Sequence, residues 1–432
     1  MNMKFIPTLR YLLIAIIFLT LVALGSWYLF LRTKQGEITD VDARRGTDLP
    51  ARSFGSPVGS TYENIVSNLP ASAGSDGGEE AGKLPRLAHI NKTPVAGAGF
   101  VGSGTSTRVR FVERGTGFVF DVSPETGTLE RLTNTLVPHI YRALITKTGA
   151  VIAQSESETG AATTFVGTVS ATSSSETTRV LSQKPLAEGI RSFAVSPDGK
   201  EIFYIVEEPG GAVGIRAASD GTPAKGESAS GGKQIFSSAI SGWQVRWSSN
   251  DRIILIQNAS DNVAGYAGEI GKDGAFAPLI RNVPGLTLLP RPSSQSNSPA
   301  LLYGASSGGL SLFMRVNETS TAALLPIRTI ADKCVWAPAP PKTTQDKPPL
   351  VAYCAVPQGS PPSDFLNRWY RGEVHTTDAW WRVDASAVSA EILYSPGSIE
   401  LDVENPVIDD SGTYIAFMNA ADKSLWLLRI AE

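Results

Sequence analysis

Three features of the sequence predict an all-β fold made of repeated units. One pattern recurs seven times: two short apolar strands joined by a polar or glycine turn, then a third strand. The turns recur at a period of about 50 residues, which is typical of radial β arrays. The 41 glycines and 28 prolines suit many tight turns. We therefore predict a seven-bladed β-propeller, with six or eight blades as the alternatives.

The N-terminal segment predicts a membrane anchor. From Tyr11 to Leu31 the chain carries no charged residue, and as a helix it would span about 31 Å, the thickness of the hydrocarbon core. A cleaved signal peptide is the alternative, but Trp27 to Leu31 extend the apolar run beyond the usual length for one. We expect residues 1–10 in the cytoplasm, one transmembrane helix over 11–31, and the C-terminal domain outside the cytoplasm. Basic residues flank the segment equally, so this orientation rests on the length of that domain.

Residues 32–83 predict a flexible, disordered linker. They are rich in Gly, Ser, Ala and Pro with scattered charges, a composition that cannot bury enough apolar surface to offset the entropy of ordering. A flexible coil of this length would span roughly 35 to 42 Å and act as a tether. The propeller domain is then expected over residues 84–432.

Turn residues and apolar runs place the strands within each repeat, which we call a to d from the centre of the ring outward. The predicted a/b turns lie at Thr148-Gly149, Asp198-Gly199, Asn250-Asp251, Ser296-Asn297, Asp346-Lys347 and Ser411-Gly412. The predicted c strands are Gly117 to Val122, Thr164 to Val169, Val213 to Ala218, Tyr266 to Ile270, Leu310 to Val316, Ala379 to Asp384 and Ser424 to Ile430. Seven c strands predict seven blades.

The last repeat ends after its c strand at Ile430 and so lacks an outer strand. An unpaired strand edge is a template for aggregation, and propellers avoid it by closing the ring. We predict that Leu84 to Ile90 supplies the missing d strand of the last blade. Gly99 to Gly104 would then supply the a strand of the first blade.

Two repeats resemble a known family. They are Ser196-Pro197-Asp198-Gly199-Lys200 followed by an apolar strand, and Asp410 to Phe417 followed by Leu425-Trp426. Both resemble the WD40-like repeats of TolB-type β-propellers. The resemblance implies an extracytoplasmic propeller that binds partner proteins or accompanies a peptidase. The chain differs from TolB in its membrane anchor and in lacking a separate N-terminal α/β domain.

Motifs that could carry catalysis or metal binding occur in the wrong context. Gly304 to Gly308 matches G-x-S-x-G but joins two predicted strands, and Gly97 to Gly102 matches G-x-G-x-x-G but precedes a strand. We interpret them as a hairpin turn and a tightly packed strand. His89, His139 and His375 are not spaced as metal ligands, so we expect surface or loop histidines and no metal site.

The two cysteines, Cys334 and Cys354, fall on the predicted a and b strands of one blade. Outside the cytoplasm they could form a disulfide across neighbouring strands. Two separate buried thiols are the alternative, and the sequence leaves both open.

The long b/c connection from Pro357 to Asp378 is the main candidate for binding. Ser363 or Asp364 would cap a short helix, and aromatic and Arg residues on a loop are enriched at protein interfaces. The candidate residues are Phe365, Arg368, Trp369, Tyr370 and Arg371. The alternative is that the aromatic residues fold back over the edge of their own blade.

A second candidate is a basic rim at the mouth of the channel, formed by Arg246 and Arg291 near the ends of adjacent a strands. The alternative is that these side chains pack along the strands.

These features together predict a protein-binding or scaffolding module of the cell envelope. Its partners would be the lipid bilayer, through Tyr11 to Leu31, and another envelope protein. A net charge of -3 gives no broad positive field for a phosphate backbone, so we expect no nucleic-acid partner.

The alternative functions are a channel-sited lyase or glycosidase, or a small-ligand or glycan sensor. Such an enzyme needs convergent carboxylates or histidines on the inner strands, where only Asp409 and Asp410 stand, so we expect no catalytic residue and no cofactor.

Overall fold

The computed structural model describes residues 83–156, 162–171, 179–220, 232–271, 273–292, 300–317, 319–339 and 350–431. The predicted anchor over 11–31 lies outside these residues, as do the predicted linker up to residue 82 and the predicted turns at Ser296-Asn297 and Asp346-Lys347. Within the described ranges, no helix has the length and apolar character needed to cross a membrane.

The described residues form seven four-stranded antiparallel sheets, which confirms the predicted seven-bladed propeller. Blades 1 to 3 are β2–β5, β6–β9 and β10–β13. Their strands are β2 (Val95–Val101), β3 (Arg108–Glu113), β4 (Val119–Val122), β5 (Leu129–Arg131), β6 (Ile140–Ile145), β7 (Val151–Glu156), β8 (Ala162–Ala171), β9 (Arg179–Pro185), β10 (Ile190–Val195), β11 (Glu201–Glu208), β12 (Gly211–Ala218) and β13 (Lys233–Ser238). A 3-10 turn, Gly104–Ser106, separates β2 from β3.

Blades 4 to 6 are β14–β17, β18–β21 and β22–β25, and blade 7 combines β26–β28 with β1. Their strands are β1 (Leu87–Asn91), β14 (Trp243–Ser249), β15 (Arg252–Gln257), β16 (Ala264–Ile270), β17 (Phe276–Pro284), β18 (Thr287–Pro290), β19 (Leu301–Ala305), β20 (Ser311–Arg315), β21 (Ala323–Leu324), β22 (Cys334–Trp336), β23 (Val351–Pro357), β24 (Asp378–Asp384), β25 (Ser389–Tyr394), β26 (Val403–Ile408), β27 (Tyr414–Asn419) and β28 (Leu425–Arg429). The 3-10 turn Ala331–Lys333 precedes β22, and helix α1 (Phe365–Tyr370) lies between β23 and β24.

The ring closes by strand exchange, as predicted. Strand β1 is the outer strand of blade 7 and pairs antiparallel with β28, with Leu87 opposite Leu428. The ring of His89 stacks on that of Trp426, with centroids 4.1 Å apart. His89 therefore lies half-buried on an outer strand and not in a loop.

The predicted bounds of the first inner strand were wrong. This strand is β2, which ends at Val101, whereas the prediction ran from Gly99 to Gly104. Gly102 and Gly104 have φ values of 76° and 56°, a left-handed conformation that ends an extended strand. The strand instead begins at Val95, which is fully buried.

Turn chemistry explains the most regular hairpins. In the a/b turns of blades 3 and 7, the amide of Gly199 donates to Ser196 O at 2.8 Å, and that of Gly412 donates to Asp409 O at 3.0 Å. Both glycines have positive φ, 75° and 72°, which only glycine adopts without strain. The carboxylate of Asp409 accepts hydrogen bonds from the amides of Thr413 and Tyr414, so its role is to hold the turn.

Apolar residues on both faces of the sheets form the core between adjacent blades. Between blades 7 and 1, for example, Leu427 and Ala416 pack in one cluster with Val95 and Phe111. Sheets buried on both faces explain why second strands such as β11 and β15 read as nearly continuous apolar runs.

Candidate functional site

A cavity of about 620 Å³ opens at the end of the ring where the inner strands begin. Residues from β2, β6, β10, β14 and β26 line it, together with Asp332 from the 3-10 turn before β22 and the end of helix α1. The cavity is thus the mouth of the central channel, with α1 as part of its wall.

A β-bulge at the start of three inner strands directs side chains towards this cavity. In β6, Ile140 is opposite Ser155 and Arg142 is opposite Gln154, so Tyr141 is the extra residue. Ala96 in β2 and Arg191 in β10 occupy the same bulged position. All three bulged residues line the cavity. Bulges of this kind re-aim side chains next to functional sites, and the sequence pattern did not reveal them.

Helix α1 contains the predicted binding residues, and its aromatic residues are mostly buried. Phe365 and Trp369 are 1% and 8% exposed and pack with Leu310 and Ile330, on the side of blade 5. The aromatic residues therefore cover a neighbouring blade and not the edge of their own. Of the three aromatic residues, only Tyr370 is exposed, at 41%, and it lines the cavity.

The two arginines of this segment face solvent. Arg368 and Arg371 both lie close to the carboxylate of Glu373, and the closer pair, Arg371 Nε to Glu373 Oε1, is 2.6 Å apart. Asp364 is the N-cap residue of α1, but its side chain forms no capping hydrogen bond. The helix is therefore held by its buried face and not by its cap.

Arg246, Asp332 and Tyr370 meet at the cavity. A terminal nitrogen of Arg246 donates to Asp332 Oδ1 at 2.7 Å, and the hydroxyl of Tyr370 donates to the other carboxylate oxygen. Burial and the nearby Asp332 carboxylate raise the pKa of Tyr370 well above its usual value. Tyr370 therefore stays a neutral donor, and this triad joins blade 4 to helix α1.

The other acidic residues at the cavity are also in ion pairs. Glu207 lies 3.2 Å from Arg191, and Glu404 lies 2.5 Å from Lys423. Arg114 pairs with no acidic residue in the described part of the chain, but it donates to the backbone carbonyl oxygens of Val95 and Tyr141 at 3.1 and 2.8 Å. These contacts account for the three acidic residues and for three of the four arginines that line the cavity.

Arg142 is the fourth of these arginines. Its guanidinium lies 4.3 Å from the ring centroid of Phe193. It forms no hydrogen bond or ion pair with any residue that the structure describes. Burial and then repulsion from Arg246 lower the pKa of Arg142 to about 10, so it stays charged at neutral pH. The sequence predictions did not include Arg142, although an arginine within the otherwise apolar strand β6 is a signal.

A buried ion network holds helix α1 against the ring. The ammonium of Lys333 donates to Asp378 at 2.6 Å and to Asp402 at 2.5 Å. The indole nitrogen of Trp369 donates to both oxygens of Asp402, and His375 Nδ1 lies 2.9 Å from Asp402 Oδ2. We call this set of five residues the Lys333 network. It explains why Trp369 is buried, and no motif in the sequence indicated it.

The remaining candidates lie away from the cavity. Arg291 directly follows β18, at the a/b-turn end of that inner strand, and is not among the residues that line the cavity. The structure therefore does not bring it together with Arg246 in a basic rim. Gly304 to Gly308 connects β19 to β20 as a hairpin, and Gly97 to Gly102 lies within and just after β2.

Cys334 and Cys354 are directly opposite each other on β22 and β23. Their Sγ atoms are 2.13 Å apart, so the structure has them as a disulfide. The bond links the inner strand of blade 6 to its neighbour. It lies next to Lys333, at the base of the segment that carries α1.

No protein-family model matches the sequence, and no curated protein matches it either. The TolB-type resemblance therefore stays a prediction. What the fold and the cavity define is a class of protein: a seven-bladed β-propeller with a polar, partly cationic cavity at one end of its channel.

Several solved structures have a similar fold. The β-propeller domain of the Trilobed protease from Pyrococcus furiosus is 10% identical, over 78% of this chain and 98% of that one, with a TM-score of 0.45. Virginiamycin B lyase from Staphylococcus aureus is 13% identical, over 80% and 99%, with a TM-score of 0.47. A puromycin-hydrolyzing peptidase of Mycobacterium tuberculosis is 12% identical, over 77% and 51%, with a TM-score of 0.45. At these values the similarities carry no argument about activity.

Proposed function

We propose that this protein is an extracytoplasmic binding module of the cell envelope, held at the membrane through Tyr11 to Leu31, which receives a partner protein at the cavity end of its propeller. The observation that carries the proposal is the pairing of charges at the cavity. Asp332, Glu207 and Glu404 are each in an ion pair with a basic residue. A general acid or base must be free to exchange a proton with a substrate, so this arrangement suits binding better than proton transfer.

Two further features support the proposed location. The apolar segment from Tyr11 to Leu31 has the length of a membrane span. The bond between Cys334 and Cys354 fits an oxidising compartment, because disulfides are rare where thiols are kept reduced. Both fit a domain outside the cytoplasm, and the resemblance of two repeats to TolB-type propellers agrees with this.

Site-specific crosslinking in cells tests the proposed binding face. A photoreactive amino acid is placed at Tyr141 or Asn258, exposed residues at the cavity. The matched controls carry it at Thr148 or Lys200, exposed residues of a/b turns at the opposite end of the inner strands. We expect a discrete crosslinked protein from the cavity positions and none from the controls. Equal crosslinking at both ends, or crosslinking at the a/b turns alone, would refute the proposal.

Protease protection tests the proposed location. Protease added to intact cells, after permeabilisation of any outer membrane, should digest the propeller while a cytoplasmic marker stays intact. A propeller that is cleaved only after the inner membrane is broken would contradict an extracytoplasmic domain.

A further inference from the structure

Among the residues that the structure describes, one cation in the cavity has no compensating partner. Arg114 is bound by backbone carbonyls, Arg191 by Glu207 and Arg246 by Asp332. Arg142 has no such partner among the described residues. A half-buried guanidinium without a counter-ion is costly to desolvate, which favours the binding of an anion there.

Among the described residues, the contacts of Arg142 fix its position but leave its N–H groups without hydrogen-bond acceptors. The ring of Phe193 lies against its guanidinium at 4.3 Å. Contact between a ring face and a guanidinium orients the group and leaves its in-plane N–H donors available. Asp332 is not its counter-ion, because that carboxylate accepts from Arg246 and Tyr370 and forms no ion pair or hydrogen bond with Arg142.

Arg142 lies where a ligand can reach it. Both Arg142 and Arg246 line the cavity, and the bulge at Tyr141 sets the direction of the strand immediately before Arg142. The polar side chains of Gln244 and Asn258 line the same cavity and can donate hydrogen bonds to an oxyanion. The volume of about 620 Å³ admits a small acid or the end of a peptide.

We propose that Arg142 anchors a carboxylate-binding site in the mouth of the channel. The planar fork of the guanidinium matches the two oxygens of a carboxylate. The bound carboxylate would balance the charge of Arg142, which lies beside the already paired Arg246. This inference deepens the proposed function, on which it rests for the use of this face. A peptide chain end or acidic side chain and a free small acid share the same chemistry, and the experiment separates them.

The test is calorimetric binding at constant ionic strength. The probes are succinate, its uncharged analogue succinamide, N-acetyl-trialanine with a free carboxylate, and the amide of that peptide. They are titrated into the wild-type protein and into Arg142→Met and Arg142→Gln. The control is Arg382→Met, which removes an arginine on β24 that pairs with Glu391 at 3.1 Å, away from the cavity.

We expect the wild type and the Arg382→Met variant to bind the free carboxylates and not the uncharged analogues. Both Arg142 variants should bind about tenfold to a hundredfold more weakly, the loss expected when one charge-assisted pair is removed. Their melting temperatures should equal or exceed that of the wild type, because the change removes an unpaired charge next to Arg246. This keeps folding separate from binding.

Unchanged binding in both Arg142 variants, or no carboxylate binding by the wild type, overturns the inference. If crosslinking from Asn258 persists in that case, the proposed function stands without it. If N-acetyl-trialanine binds more tightly than succinate, the result supports a protein partner. If succinate binds more tightly, the result supports the carboxylate site but counts against a protein partner.

Discussion

The ammonium of Lys333 and the carboxylate of Asp402 form a hydrogen bond of 2.5 Å, and their side chains are 0% and 1% exposed. Lys333 directly precedes the first strand of blade 6, and Asp402 directly precedes the first strand of blade 7. The ion pair therefore joins two adjacent blades. Because Asp402 also accepts from Trp369, the same contact fixes helix α1, whose last residue, Tyr370, lines the cavity.

Replacing Lys333 by Met should strongly destabilise the domain. The change leaves the carboxylates of Asp378 and Asp402 buried without a cation, and breaking a buried pair in this way costs about 3 to 5 kcal/mol. The free energy of unfolding from urea titration is the measurement. Lys147→Met is the matched control, because Lys147 also pairs with an aspartate, Asp410, but on the surface, and it should change little. Equal stability of the two variants would contradict the role given to the Lys333 network.

The Lys333 network should also make stability depend on acid pH. Burial alone would raise the pKa of Asp402, but the charge of Lys333 and hydrogen bonds from Lys333, Trp369 and His375 outweigh it, so the pKa lies below the usual value. The folded state then binds fewer protons than the unfolded chain. Its stabilisation is complete above the unfolded pKa of about 4 and is lost as the pH falls through the folded pKa.

We therefore expect the free energy of unfolding of the wild type to fall as the pH is lowered from about 4 through the folded pKa of Asp402. Asp402→Asn is less stable at neutral pH but should show a shallower decline over this range. The two curves are obtained from urea titrations at each pH. Parallel curves would show that Asp402 does not carry this dependence.

Strand β1 should be essential to the propeller. A chain that begins at Thr93 lacks β1 and leaves the edge of β28 unpaired, while the buried Ala88 and Ile90 are lost from the core between blades 7 and 1. We expect its melting temperature to fall by roughly 10 °C or more, with aggregation. A chain that begins at Lys83 keeps β1 and is the control. A soluble chain from Thr93 with an unchanged melting temperature would refute this closure.

The disulfide should be detectable and stabilising. Unfolded, unreduced protein should present no reactive thiol, and reduction should release two, since the sequence has only Cys334 and Cys354. With a sequence separation of 20 residues, replacing both by Ala should lower the free energy of unfolding by about 3 kcal/mol. Two thiols that react before reduction would show that the bond does not form.

The fold could be predicted from the sequence because its signals are local. Asp198-Gly199 and Ser411-Gly412 mark turns by their own chemistry, and apolar runs of strand length lie on either side of them. The ring closure followed from the missing partner of β28. The first inner strand was misplaced at both ends: it begins earlier, at Val95, and the positive φ values at Gly102 and Gly104 end it at Val101, in a stretch that reads as continuous.

The site could not be predicted in the same way, because its residues meet only after the ring has closed. Arg142 and Arg246 belong to blades 2 and 4, and Asp332 lies in the turn before blade 6. Nothing in the sequence reports their distance from one another. Trp369 was correctly placed on a helix, yet its burial depends on Asp402 in the next blade. Arg142 is the exception, because a charged residue within the otherwise apolar strand β6 is visible in the sequence.

Blade 7 has a kinetic consequence, because it combines β1 with the three strands at the other end of the domain. During translation, β1 emerges from the ribosome before every other strand of the propeller, and its partner β28 emerges last. Six blades can form while β1 still waits for that partner. Contacts so distant in sequence slow folding, so we expect the final, rate-limiting step of refolding to be the docking of β1 onto β28.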